Sequence, residues 1–249
     1  MQSGKHHRAN RLLASLEPED FGALEPLLDI VELHQGQVLY ETGEPLRHTY
    51  FPHDTIIALC TLMQDGRSAE MVVYGREGAT GLLNSIVNRQ SFGRYVVQFD
   101  GTASRIEIGR IEEVATNRPG IHLIIRRYLE ALSLQTLQSV ACNAIHDVEA
   151  RTCRWILSTC VRIDLETIPL THEQMAEMIG VQRSTMSAIL RKLQHRGLIR
   201  QIRGGITVTD RGGLERATCE CYWRIGEMFN RILPHAIKEG WYREDWKTE

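Results

Sequence analysis

The sequence predicts an α+β chain: an N-terminal antiparallel β-roll, one long helix, and a C-terminal winged helix-turn-helix. Three observations predict it. Residues 31–108 divide into strand-sized apolar or alternating pieces separated by turn signals. After Asn117-Arg118-Pro119-Gly120 the apolar period becomes helical and holds to about residue 146. Residues 170–196, LTHEQMAEMIGVQRSTMSAILRKLQHR, read as two short amphipathic helices joined by a tight turn at Gly180-Val181.

Residues 10–31 carry apolar positions at helical spacing, with Ser15 as the expected N-cap and Pro18 and acidic residues in the first turn. VLYE, TYFP, IIALCTLM, AEMVVYG, YVVQF and ASRIEI then follow as strands between HQGQ, ETGEP, HD, QDG, GREGATG and DG. Strands this short and closely spaced favour an antiparallel barrel or roll over a parallel α/β sheet. In the long helix, Leu134, Leu137, Ala141, Ala144 and Val148 form one apolar stripe, and Ile121, Ile125, Tyr128 and Leu132 form another upstream. Two stripes fit a helix that packs on its own domain and on a second copy of itself; the plainer alternative is a helix buried within one chain.

A helix over 149–162, the linker IDLETIP and the helix-turn-helix come next. Segments 198–203 and 206–209 flank Gly204-Gly205, the expected two-residue turn of a hairpin wing. Asp210 should cap a last helix running to about residue 232, and the tail PHAIKEGWYREDWKTE carries two of the tryptophans.

The 249 residues suffice for two modest cores, and their net charge of −2 gives no hint of a polyanionic partner. That balance hides an asymmetry. From Met178 to Thr209 stand Arg183, Arg191, Lys192, Arg196, Arg200 and Arg203, with no acidic residue. A one-sided stretch on a helix-turn-helix suits double-stranded DNA, against the plainer reading of a solvated basic face. No apolar run is long enough to span a bilayer and the start MQSGKHHRAN is not a secretory signal, so a cytoplasmic location is expected. The six cysteines match neither paired zinc-knuckle spacing nor a disulfide framework. Cys219-x-Cys221 is a weak metal or redox hint, but on a helix those two side chains point in different directions, so packing is their expected role and no metal or cofactor is expected. No Walker loop, H-E-x-x-H or G-x-S-x-G is present, which argues against an enzyme.

Over roughly residues 10–220 the order of elements and the residues resemble the Crp/Fnr family of bacterial transcription regulators. LHQGQVLYETGEPLRHTYF, with Gly36 and Gly43 at its turns, is similar to the family's early β-roll. MQDGRSAEMVVYGREGATGLL is similar to the next hairpin and the start of the ligand cassette. LTHEQMAEMIGVQRSTMSAILRKLQHRGLIRQIRGGITVTD is similar to its reader helix and wing. The resemblance implies a cyclic-nucleotide-binding-like sensor over 1–118, a dimerisation helix over 119–146 and a winged DNA-binding domain with a C-terminal extension over 147–249. It further implies a homodimer reading a near-palindromic operator with helix 182–195, in contact with RNA polymerase if it activates.

The family's nucleotide pocket uses a Gly-Glu pair for the ribose and an Arg-Ser/Thr pair for the cyclic phosphate. Those positions fall here at Gly81-Leu82 and Arg94-Tyr95. Leu82 cannot accept the ribose hydrogen bond, and leaving a buried hydroxyl unpaired costs about 1–3 kcal/mol. Tyr95 would crowd a small site. The pocket therefore reads as altered and the effector as unknown, with a cyclic-nucleotide response through Arg94 as the alternative. The family's N-terminal iron–sulfur cysteines have no counterpart before Cys60, and His34, His48, His53 and Cys60 are only nominal haem ligands. In the reader, the family's Arg-Glu-x-x-x-Arg corresponds to Arg183, Ser184 and Ala188. Arg183 keeps the fork that grips guanine, while Ser184 and Ala188 imply a half-site unlike the TGTGA-type sequence. Thr171, Gln182, Thr185 and Ser187 suit phosphate or base-edge bonds, and Arg191, Lys192 and Arg203 suit backbone anchoring. A non-DNA-binding adaptor on the same scaffold is the competing reading. The hinge is expected at about 143–148, with Cys142 and Cys153 beside it as candidate redox positions.

Overall fold

A computed structural model of the chain describes residues 6–66, 68–85 and 89–233, so the tail from Pro234 lies outside the described residues. Two short helices, α1 (Arg11–Ala14) and α2 (Pro18–Leu24), precede the roll. The expected single helix over 10–31 is not formed. Asn10, not Ser15, caps α1 by accepting from the Leu13 amide. A 3-10 turn over Glu25–Leu27 then ends the helical stretch at Pro26, which cannot donate a backbone hydrogen bond. Residues 29–31 belong instead to a strand.

The roll consists of β1 (Asp29–Leu33), β2 (Val38–Tyr40), β3 (His48–Pro52), β4 (Ile57–Leu62), β5 (Ser68–Tyr74), β6 (Arg94–Val97) and β7 (Gly101–Glu107), with a short helix α3 (Leu82–Ser85) between β5 and β6. One sheet has the order β1-β7-β3 and the other β2-β6-β4-β5, and their pairings are antiparallel. The two sheets enclose Phe51, Ile57, Tyr74, Tyr95, Val97 and Ile106, all buried, while Leu12, Leu13, Phe21 and Leu24 of the leading helices close one side. The Asn10 amide fastens that cover by donating to the Pro52 and Gly78 carbonyls, each at 2.9 Å.

A helix absent from the sequence reading, α4 (Ile108–Asn117), follows β7 and buries Ile108, Ile111 and Ala115. Pro119 then opens α5 (Pro119–Ile145), a 27-residue spine. Its upstream residues Ile121, Tyr128, Ala131 and Leu132 are buried, and the Tyr128 hydroxyl donates to the Ala79 carbonyl of the sensor half at 3.0 Å. Downstream the helix changes character: Leu137, Val140 and Ile145 are 65%, 64% and 78% exposed.

The C-terminal module holds α6 (Val148–Ile163), β8 (Thr167–Ile168), α7 (His172–Ile179), α8 (Arg183–His195), β9 (Ile199–Ile202), β10 (Gly205–Val208), α9 (Arg211–Ala217) and α10 (Cys221–Ile232). Asp147 caps α6 and Asp210 caps α9. Two further expectations need correction. The wing turn is Arg203-Gly204, because Gly205 pairs with Ile202 inside the ladder. Gly205 is required for closeness, since a Cβ there would stand 2.3 Å from the Ile168 carbonyl oxygen of β8. The last helix is broken over 218–220, so Cys219 and Cys221 do not lie on one helix and their thiols converge near Cys142.

Roll, spine and C-terminal module meet at one buried guanidinium. Arg162 of α6 donates from Nε to Glu77 Oε1 at 2.6 Å, from Nη2 to Gln135 Oε1 of α5 at 3.1 Å, and from Nη1 to the Ser158 carbonyl at 3.2 Å. Both charged side chains are 4% exposed. Removing one partner of such a pair strands a buried charge, so Arg162→Met should cost about 3–5 kcal/mol in urea unfolding, and Arg162→Met with Glu77→Leu should recover most of it. Equal losses in the single and double variants would contradict this.

A second buried polar group has a pH signature. His53 bonds Thr102 Oγ1 at 3.1 Å and Ser104 Oγ at 2.8 Å, and His7 shares the same serine at 2.7 Å. Burial lowers the His53 pKa from 6.5 to about 4 and also lowers that of His7. The folded chain therefore prefers the neutral imidazole, and this contribution is complete above pH 6.5 and lost as pH falls toward 4. Urea midpoints should drop between pH 6.5 and 5, and drop less in His53→Gln; identical slopes in the two proteins would refute the assignment.

Candidate nucleic-acid interface

The helix-turn-helix is set by local chemistry. Thr171 and Gln174 form a reciprocal capping box: the threonine hydroxyl accepts from the Gln174 amide, and the glutamine side chain accepts from the Thr171 amide at 2.9 Å. Gly180 ends α7 at φ 74°, the left-handed conformation in which a glycine avoids Cβ strain. Leu170, Met175, Met186, Leu190 and Leu193 are buried between the helices and the rest of the module. Gln182 is the N-cap residue of α8 but makes no side-chain cap bond, which leaves its amide group for an outside partner.

Gln182, Arg183, Ser184, Thr185 and Ala188 are all exposed along the first turns of α8. The Arg183 guanidinium lies 3.7 Å from Glu173 with both side chains 71% exposed. An ion pair that open contributes about 0–1 kcal/mol and is readily exchanged for a better acceptor. Other expected contacts are engaged within the module. The Ser187 hydroxyl bonds His172 Nδ1 at 3.0 Å, stitching α8 to α7, and Arg191 turns back to the Ser187 carbonyl at 3.3 Å. Lys192 and Arg196 both pair with Glu149 of α6. Gln194 accepts from the Gln201 amide at 2.7 Å and so holds the wing against α8, and Arg203 stands exposed at the wing turn. Sequence reasoning missed Glu149, Glu173 and His172, because all three lie outside the acid-free stretch and act across helices.

In the roll, strand alternation separates the two residues of the second candidate pair. Tyr95 points inward, fully buried, stacked on Tyr74 at 5.8 Å and edge-on to Tyr40 at 6.0 Å. Burial raises the pKa of its phenol. Arg94 points outward and grips Glu41 with two nitrogens, at 2.7 and 3.0 Å. That pairing raises the arginine pKa and lowers the glutamate pKa. Gly81 and Leu82 are buried on the interior side, where Gly81 approaches the His48 carbonyl and Ile108. Arg94 is thus turned away from Gly81 and Leu82, and an aromatic ring occupies the interior next to them. Of the nominal haem ligands, His34 is exposed, His48 is half-buried, His53 is held by its hydroxyl partners, and burial pushes the Cys60 thiol up to about 12.

Comparison with known proteins agrees with this geometry. A family model described as the Crp-like helix-turn-helix domain matches residues 150–217. The global nitrogen regulator of Nostoc sp. is 23% identical over 199 residues, 75% of this chain and 87% of the relative. The CRP-like cAMP-activated global transcriptional regulator of Mycobacterium tuberculosis is 22% identical over 212 residues, 82% of this chain and 95% of the relative. Residues 150–217 match a Crp-like helix-turn-helix domain, and most of the chain is similar to transcriptional regulators of the Crp/Fnr kind. The chain also shares its fold with the c-di-GMP-responsive global regulator CLP of Xanthomonas campestris, at a TM-score of 0.64 and 14% identity, covering 77% of this chain and 99% of that one. The relatives that these comparisons name are transcriptional regulators. Among the described residues no helix is long and apolar enough to cross a membrane.

Proposed function

We propose that the regulator is a cytoplasmic homodimer that reads a near-palindromic duplex with the exposed start of α8, and that its sensor pocket no longer takes cyclic AMP. The observation that carries this reading is the outward row Gln182, Arg183, Ser184 and Thr185 on a chain segment free of carboxylates from 178 to 209. Arg183 reads guanine through its two-pronged fork, Gln182 and Thr185 offer bonds to base edges or phosphates, and Arg203 and Arg191 track the backbone. Thr171 puts the amide end of α7 at a phosphate, while Ser187 and Lys192 contribute after exchanging His172 and Glu149 for the nucleic acid. Ser184 and Ala188 make the half-site differ from the TGTGA type. One reader covers only a few base pairs, so specificity comes from two copies about 34 Å apart in successive major grooves.

The exposed stripe Leu137, Val140 and Ile145 supports pairing of two spines about a twofold axis. This gives the proposed organisation: sensor over 1–118, dimerisation helix over 119–146, DNA-binding domain from 147. Leu82 in place of an acceptor, the inward Tyr95 and the Arg94–Glu41 pair all argue against a cyclic nucleotide between the sheets. RNA polymerase is the further partner if the regulator activates.

Selection of bound duplexes from a random pool tests the reading. It should return a two-half-site sequence with affinity falling steeply as salt rises, unchanged by cyclic AMP. Arg183→Ala should lose about 1–3 kcal/mol on the selected site and relax preference at one position of each half-site. Arg203→Ala should weaken all sequences alike and lower the salt slope by about one. Loss of affinity in both variants with unaltered base preference would remove Arg183 from the reading role.

A further inference from the structure

Four metal-ligand side chains meet where the spine ends. Cys142 lies in the last turn of α5 and His146 is its C-cap residue. Cys219 comes from the break after α9, and Cys221 is the first residue of α10. Their ligand atoms all lie within 4.8 Å of one another. Cys142 Sγ is 3.5 Å from Cys219 Sγ, and Cys221 Sγ is 3.6 Å from His146 Nδ1. Zinc–sulfur bonds of ~2.3 Å at tetrahedral angles put two thiolates roughly 3.8 Å apart, and a thiolate and an imidazole nitrogen slightly closer. A disulfide needs sulfurs at about 2.05 Å. An iron–sulfur cubane needs each ligand on its own iron, and therefore a wider set. The spacing is that of ligands around one ion.

The surroundings suit an ion as well. All three thiols are buried. Glu220 Oε2 lies 3.1 Å from His146 Nε2, which leaves Nδ1 facing the sulfurs. That is the carboxylate–histidine support expected behind a metal-bound imidazole. Gln138 donates to Cys221 Sγ at 3.0 Å. Arg154 is within electrostatic reach of Cys142. Arg151 also feels Cys142 and Cys219. These two cations would balance the net negative charge of three thiolates around a divalent ion.

We propose that Cys142, His146, Cys219 and Cys221 form a closed tetrahedral site for one divalent cation of the zinc class. Three sulfurs and one nitrogen exclude the oxygen-seeking magnesium and calcium, and four protein ligands leave no open position for catalysis. Binding forms four metal–ligand bonds and releases the thiol protons to solvent. The ion joins the end of the spine and the hinge to the chain that leaves the winged module. Its occupancy therefore sets how firmly the reader is held to the spine.

The test uses the full chain, reduced, stripped with chelator and titrated with cobalt(II) under nitrogen. One equivalent per protomer should give thiolate-to-cobalt charge-transfer absorption and intense tetrahedral d–d bands. Zinc should displace it one for one and raise the thermal unfolding midpoint. Cys219→Ser should lose the charge-transfer intensity of one thiolate and weaken binding at least about 10-fold. Glu220→Gln, which keeps every ligand, should weaken it about 10–100-fold with the spectrum intact. Cys153→Ser, outside the cluster, should leave binding and spectrum unchanged. The proposal fails if the wild-type chain gives no tetrahedral cobalt spectrum, if Cys219→Ser, folded by circular dichroism, gives the wild-type one, or if cobalt binding follows Cys153 instead.

Discussion

The spine carries more apolar surface than its own chain covers, and the rest of the architecture answers to that. Over its first half α5 is an ordinary core helix, with Ile121, Tyr128 and Leu132 buried. Over its second half Leu137, Val140 and Ile145 face outward. Fully burying an aliphatic side chain of this size is worth about 1.5–3 kcal/mol, so a stripe of three is a strong drive toward a partner surface. In the proposed dimer a twofold pairing of spines would satisfy it with the same residues on both sides. It would also set the distance between the two readers, because each reader is anchored to its own spine.

That anchoring joins a shared apolar core, which includes Ile156, Leu157, Ile225 and Phe229, to one buried polar contact. Arg162 reaches Glu77 in the roll and Gln135 in the spine from within the reader module. Around it, Arg151 donates to the Ile179 carbonyl at the end of α7, Gln35 of the roll donates to the Pro169 carbonyl, and Arg76 pairs with Asp164. The reader module is therefore seated on the roll and spine through α6, α10, the β8 loop and the back of α7, which leaves α8 facing outward. A change in the roll that moved Glu77 would act on Arg162 directly. Such coupling needs no nucleotide between the sheets, where Tyr74 stacks on Tyr95 and Tyr40 meets Tyr95 edge-on.

Much of this was legible in the sequence because its signals are local. Turn residues between short apolar runs marked six of the roll strands, Pro119 marked the start of the spine, and the acid-free stretch with Gly180 marked the helix-turn-helix. What escaped depends on distant partners. DIVEL becomes β1 only because β7 offers a ladder from Asp29–Arg105 to Leu33–Gly101. The wing turn sits one residue earlier than expected because Gly205 is pressed against β8, a two-residue strand with little signal of its own. Ser187 looked like a base contact, yet it faces His172, fifteen residues away. Of the cysteine cluster only the weak Cys219-x-Cys221 hint was visible, because Cys142 and Cys219 are 77 residues apart and match no spacing motif.

The mass of the full chain in solution tests the central claim most directly. Sedimentation equilibrium at micromolar concentration should give twice the 28.4 kDa protomer mass. Leu137→Asp with Val140→Asp should return it to a single protomer without loss of helix content. A wild-type chain that sediments as one protomer, or a dimer indifferent to both aspartates, would contradict the account of the spine.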